Sequence, residues 1–115
     1  MSLPVGRWQL NVNGHNGVLN IVGVSNTGEV TGTVTVPSLP PANLSQSAFW
    51  NEAAQELKFI VNNHPGNPST SQFYVGYLFS LDKTQSKSAL AGYLTALEVA
   101  GGSANRSNFG WFATL

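Results

Sequence analysis

The chain holds few residues that could move a proton or hold a metal. There are two histidines, His15 and His64, a single aspartate, Asp82, and four glutamates, of which Glu52 and Glu56 flank one turn-like stretch. A glycosidase-like carboxylate pair must face across a cleft of roughly 5–10 Å, whereas Glu52 and Glu56 read as the solvated ends of a hairpin. Both histidines fall in loops, with no third and fourth ligand at tetrahedral-site spacing, so no metal is expected. No serine has a His/Asp partner in sequence context, and the chain has neither a Gly-rich phosphate loop nor a nucleophile elbow. With so few acids and bases to perturb, the chain reads as a non-enzyme without a cofactor. Aromatics and amides remain. Trp8, Trp50 and Trp111 suit either a core or a ligand platform, and the last two lie near Asn-rich loops where an aromatic could stack on a sugar.

Composition narrows the partners. At 115 residues the chain is long enough for one domain, 1–115, with a core of its own. Only 9% of residues are charged, against about 25% in ordinary soluble domains. Five Lys+Arg balance five Asp+Glu, so no long-range field attracts nucleic acid or an anionic membrane. Cysteine is absent, which removes disulfides and thiolate metal sites and leaves the redox compartment open. No apolar run approaches the roughly 20 residues of a membrane span. Met1-Ser2-Leu3-Pro4 lacks the basic and apolar regions of a secretory signal, so none is expected, and the compartment stays undecided. Asn43-Leu44-Ser45 and Asn105-Arg106-Ser107 match the glycosylation triplet, which an Asn-rich chain produces by chance.

The elements that would position these residues are strands. Gly28 to Val36 alternates cleanly, with Val30, Val34 and Val36 on one side, Gly32 between them, and Thr31, Thr33 and Thr35 on the other. Val5–Val12 places Trp8, Leu10 and Val12 on one face, and Val18–Val24 follows across the turn residues Asn13 to Gly17. Pro37 to Ser45, with Pro40-Pro41, is a long connection that no central strand could contain. Further strands are expected at Gln46–Asn51, Leu57–Asn62, Ser71–Leu81, Ser88–Val99 and Arg106–Thr114, with a second long loop from Asn63 to Thr70. Helix competes for Ala53–Lys58 and for Ser88–Ala100, where Gly92, Thr95 and Val99 favour strand. Gly76-Tyr77-Leu78 is echoed by Gly92-Tyr93-Leu94. Eight strands in sequential antiparallel order predict an all-β, eight-stranded up-and-down β-barrel, the size at which a sheet closes on itself.

Several motifs resemble one family in the same order. Gly6-Arg7-Trp8 and Gly28-Glu29-Val30-Thr31-Gly32-Thr33-Val34 resemble the opening of avidins and streptavidins. Phe59-Ile60-Val61-Asn62 resembles that family's fifth strand, Tyr74-Val75-Gly76 its sixth, and Phe112-Ala113-Thr114-Leu115 its ending. The resemblance implies a barrel that binds biotin in one open end and assembles into homo-oligomers. Carried over residue by residue, it implies a ligand-binding set of Leu10, Val34, Phe59, Asn63, Gln72, Tyr74, Tyr93 and Trp111. Leu10 and Val34 stand where the family has an amide and a tyrosine hydroxyl for the ureido oxygen, and Gly14 falls near the serine of the same cluster. Asn63 replaces a tryptophan, Tyr93 another, Gln72 a threonine, and Gly110 a carboxamide or carboxylate. With those buried donors missing, biotin itself is not the expected ligand. The same alignment puts Ile60, Tyr77, Phe79, Leu81, Leu90 and Leu94 partly outside, a face that self-association would cover.

These residues predict a non-catalytic, ligand-binding barrel for an unidentified small molecule or glycan, acting as a homo-oligomer, with no nucleic-acid or membrane partner. A surface recognition module of the lectin or protein-binding kind, or a filled barrel serving as an assembly scaffold, are the alternatives.

Overall fold

The computed structural model describes residues 2–36, 39–45, 47–63, 69–82 and 87–115. Its strands are β1 (Gly6–Val12), β2 (His15–Val24), β3 (Val30–Thr35), β4 (Ala42–Asn43), β5 (Phe49–Asn51), β6 (Glu56–Asn63), β7 (Ser69–Asp82), β8 (Lys87–Ala100) and β9 (Ser103–Thr114). No helix occurs among the described residues, so both stretches for which helix competed are strand and turn. All nine strands join one antiparallel sheet in the order β4-β3-β2-β1-β9-β8-β7-β6-β5.

Alternation decides which side faces in. Trp8, Leu10 and Val12 of β1, Leu19 and Ile21 of β2, and Val30 and Val34 of β3 are all buried on the concave side. Gly32 separates the two β3 valines because a Cβ there would meet the Asn20 carbonyl oxygen of β2, and its φ of 146° suits glycine alone. The register slips between Ile21 and Gly23, a bulge that leaves Val22 exposed. Across the sheet, Leu57, Phe59 and Val61 of β6, Tyr74 and Leu78 of β7, Leu90 and Leu94 of β8, and Trp111 and Ala113 of β9 complete the core.

The sheet is a curled half-barrel rather than the closed eight-stranded barrel expected. The stretch expected as one strand at Gln46–Asn51 pairs with β6 only over Phe49–Asn51, and a separate two-residue strand, Ala42–Asn43, pairs with β3. Pro40 and Pro41 have no N–H to give a ladder. Beyond them, Ser47 N and Ala48 N both donate to Leu44 O, a turn that draws Leu44 and Ala48 into the core. The two ends of the sheet therefore meet through an isolated Glu29–Phe49 bridge, with Val30 N donating to Ala48 O and Trp50 N to Gly28 O. Ser47 Oγ adds contacts to both N and O of Ile60 at 3.4 Å.

Two facings differ from expectation. Leu90 and Leu94 point inward and Tyr93 outward, 51% exposed. A one-residue shift of strand parity exchanges every side chain between faces, and β8 follows its own Leu90–Gly92–Leu94 pattern opposite Ala113, Trp111 and Phe109. Ile60, Tyr77 and Phe79 are exposed as expected, and the Leu81 side chain and His64 lie outside the described residues.

The long β7, β8 and β9, of 14, 14 and 12 residues, outrun β1, which meets β9 only from Gln9 to Val12. Asn13 N bonds Gly110 O, so the even-numbered residues of β9 turn their backbone groups away from β8. Hydrogen exchange should alternate accordingly: the amides of Arg106 and Asn108 exchange fast, and those of Asn105, Ser107 and Phe109 slowly. Uniform protection across these five would contradict the register.

Candidate functional site

Three of the residues proposed from the resemblance, Phe59, Tyr74 and Trp111, gather where β6, β7 and β9 face one another. Phe59 and Tyr74 stack with centroids 4.5 Å apart and an interplanar angle of 9°. The Trp111 indole meets both edge-on, at 5.7 and 5.6 Å. Behind it lies a shelf made of two glycines that are direct partners across β7 and β8, Gly76 and Gly92. A Cβ on Gly76 would fall 2.3 Å from Trp111 Cζ2, and one on Gly92 would strike the Val75 carbonyl oxygen. With no side chain there, the indole N–H reaches the backbone and donates to Val75 O at 3.1 Å and Tyr93 O at 3.0 Å.

This packing leaves no room beside the inner residues. Leu10, Val34, Phe59, Tyr74 and Trp111 expose 1, 0, 1, 1 and 3% of their surfaces. A ligand could touch them only by displacing a neighbour. Trp8 and Trp50 are also buried, and each uses its indole N–H internally, on Pro4 O and on Glu52 Oε2. Neither Trp50 nor Trp111 offers the exposed stacking face their positions near loops suggested. Tyr93 lies on the opposite side of the sheet from the other proposed contacts, and the Asn63 side chain lies outside the described residues.

At the lip of the aromatic cluster the lining turns polar. Tyr74 donates its phenol hydrogen to Gln72 Oε1 at 2.7 Å, so the Gln72 amide nitrogen keeps its donors. Burial pushes the Tyr74 phenol far above the ordinary tyrosine range, so it remains a neutral donor. Thr70 sits on the same face of β7, and its Oγ1 is buried without a hydrogen bond. Ala96 of β8 pairs with both Gln72 and Ser107, and Phe109 of β9, 36% exposed, stands nearby on the same concave side.

The acidic residues do not converge. Glu52 accepts from Trp50, and that hydrogen bond holds its carboxyl below the usual range; Glu56 lies 3.4 Å from Lys58, and its carboxylate, directly across from Tyr77, pushes that phenol up. Among the described residues no three His, Cys, Asp or Glu side chains come together as a metal site would need.

Outside, β6 to β9 present a second feature. Ile60, Phe73, Tyr77, Phe79, Tyr93 and Phe112 are all at least 36% exposed on the convex side. A hollow of about 390 Å³ opens among Phe49, Lys58, Ile60, Phe73 and Val75. Sequence reasoning located Ile60, Tyr77 and Phe79 there and missed Phe73, Tyr93, Phe112 and the glycine shelf. The paired Gly-Tyr-Leu echo is the signal that marks both the shelf and the outward tyrosines.

Gly76→Ala should destabilise the fold by about 2–3 kcal/mol through overpacking against Trp111. Gly110→Ala, whose nearest contact is 3.9 Å away, should stay within about 0.5 kcal/mol. Urea unfolding checks the pair, and equal losses would contradict the shelf. Comparisons with protein-family models, with curated proteins and with solved structures find no match to this chain.

Proposed function

We propose that the chain is a non-catalytic binding domain, avidin-like in plan, that works from its surfaces and self-associates through the convex face of β6–β9. One observation carries this reading: six large apolar side chains share that face while the interior contacts are already filled. Four strands spaced ~4.8 Å apart, of 8, 14, 14 and 12 residues at ~3.3 Å each, cover roughly 750 Å², close to the ~800 Å² per partner of a stable interface. The face carries few charges, Lys58 and Glu56 paired at its rim and Lys87 and Arg106 towards the ends of β8 and β9. A second copy fits best because a two-fold contact lets protruding aromatics of each chain enter the other's hollow.

Light scattering should give the mass of an oligomer, and Phe73→Ser with Tyr93→Ser should shift it to a monomer. Truncating exposed side chains should leave the melting temperature of the monomer nearly unchanged. A wild-type protein that stays monomeric at high concentration would contradict the reading.

A small ligand at the concave lip is a second reading, favoured by the unbonded Thr70 hydroxyl beside the Gln72 amide. Biotin is a poor candidate for it, since Leu10 and Val34 offer no donor. Calorimetry with biotin should show no heat, and submicromolar binding would overturn this assignment.

A further inference from the structure

Most of β9 extends past the strand beside it. Every residue from Ser103 to Gly110 is exposed, whereas Trp111 and Ala113 are buried. On one side β9 is paired along its whole length, from Ala89–Thr114 to Ala100–Ser103 of β8. On the other, β1 covers only Trp111 to Thr114, and one more bond runs from Asn13 N to Gly110 O. Leu115 N donates to Ser88 O, so the odd-numbered residues of β9 exchange their bonds with β8. The N–H and C=O groups of Ala104, Arg106 and Asn108 therefore point away from the sheet, with no strand beside them among the described residues. The end strands of the sheet, β4 and β5, run for only two and three residues.

An open edge of this kind is a template for another chain unless proline, a bulge or charge blocks it. Ser103 to Phe109 contains no proline and pairs with β8 without a register shift. Its one charge is Arg106, on the convex side. The residues next to Arg106 on that side, Leu97, Ala104 and Asn108, are not acidic, and Glu98 lies across from Asn105 on the concave side. There Phe109 keeps 36% of its surface in solvent. Gly14, in the turn after β1, has no side chain to shield that ring, and nothing lies within 4 Å of where its Cβ would be.

We infer that this edge takes an extended, acidic peptide segment of another protein, added antiparallel to β9 as a further strand. Its backbone meets Ala104, Arg106 and Asn108, and a carboxylate side chain sits opposite Arg106. An apolar residue three places before that acid lies beside Phe109, since alternation puts it on the concave side. A second copy fits worse. Centring two such edges on each other sets Arg106 against Arg106, like charges directly opposite. Sliding them toward Gly110 is stopped by Asn13, already bonded there, and sliding the other way shortens the ladder. The inference rests on the reading of the chain as a surface binder and is independent of self-association.

The test titrates the isotope-labelled full chain with the capped peptide Leu-Thr-Thr-Glu-Thr-Val-Ser, and with the same peptide carrying Lys for Glu. The Glu peptide should shift amides at 103–109, slow exchange at Ala104, Arg106 and Asn108, and bind about fivefold tighter than the Lys peptide. Arg106→Glu, an exposed change, should reverse that preference. Arg106→Pro removes an N–H that β8 does not use and should abolish binding. If that variant loses its dispersed spectrum, Arg106→Glu decides alone. No shifts with either peptide, shifts confined to other strands, or an unreversed preference would overturn the inference. So would protection of the three edge amides that grows with protein concentration alone, which would put a second copy there. Light scattering on the same samples separates the two readings: a monomer that binds the Glu peptide contradicts self-association only, and an oligomer that ignores it contradicts the edge site only.

Discussion

The structure depends on how Trp111 is seated. Its ring lies over Gly76, whose partner across β7 and β8 is Gly92, and its N–H donates to the carbonyls of Val75 and Tyr93. Phe59 and Tyr74 each meet the indole in an edge-on contact. Once these positions face inward, strand geometry sends the alternate residues of β7 and β8 outward. Phe73, Tyr77, Phe79 and Tyr93 thus reach the convex face because of what is packed beneath them. Core and surface are two consequences of one register.

That linkage explains how a chain with so little charge is built. The concave side is filled by buried apolar side chains, and the buried lining turns polar at the lip, at Thr70, Gln72 and Tyr74. The convex side is aromatic. The exposed aromatic groups lie on surfaces and rims, and the filled interior holds them in place. The sheet's incomplete closure contributes to this, since the turn from Leu44 to Ala48 and the Glu29–Phe49 bridge are what bring Phe49 to the hollow beside Lys58 and Phe73.

Much of the fold was legible because alternation and turn chemistry are local. Val30, Val34, Trp8 and Leu10 face inward as their spacing requires, and the Asn/Gly turns fall between strands. The break in the fourth expected strand was not legible. It arises from the Leu44–Ala48 turn, whose hydrogen bonds depend on the tertiary pull of Leu44 into the core. The site was read less well. Tyr93 was aligned inward by resemblance, while its outward facing follows from the opposition of Gly76, Gly92 and Trp111, three residues distant in sequence. Phe49 carried no motif, and only the meeting of two chain turns gives it a partner.

The concave side is closed by its own buried side chains, Trp111, Phe59 and Tyr74 among them. Tryptophan emission with iodide and acrylamide as quenchers tests it most directly, because Trp8, Trp50 and Trp111 are 0, 4 and 3% exposed and no other tryptophan dilutes the signal. Blue-shifted emission that iodide leaves nearly unquenched is the expected result. Red-shifted emission with a large quenchable fraction would show an open, hydrated interior and contradict it.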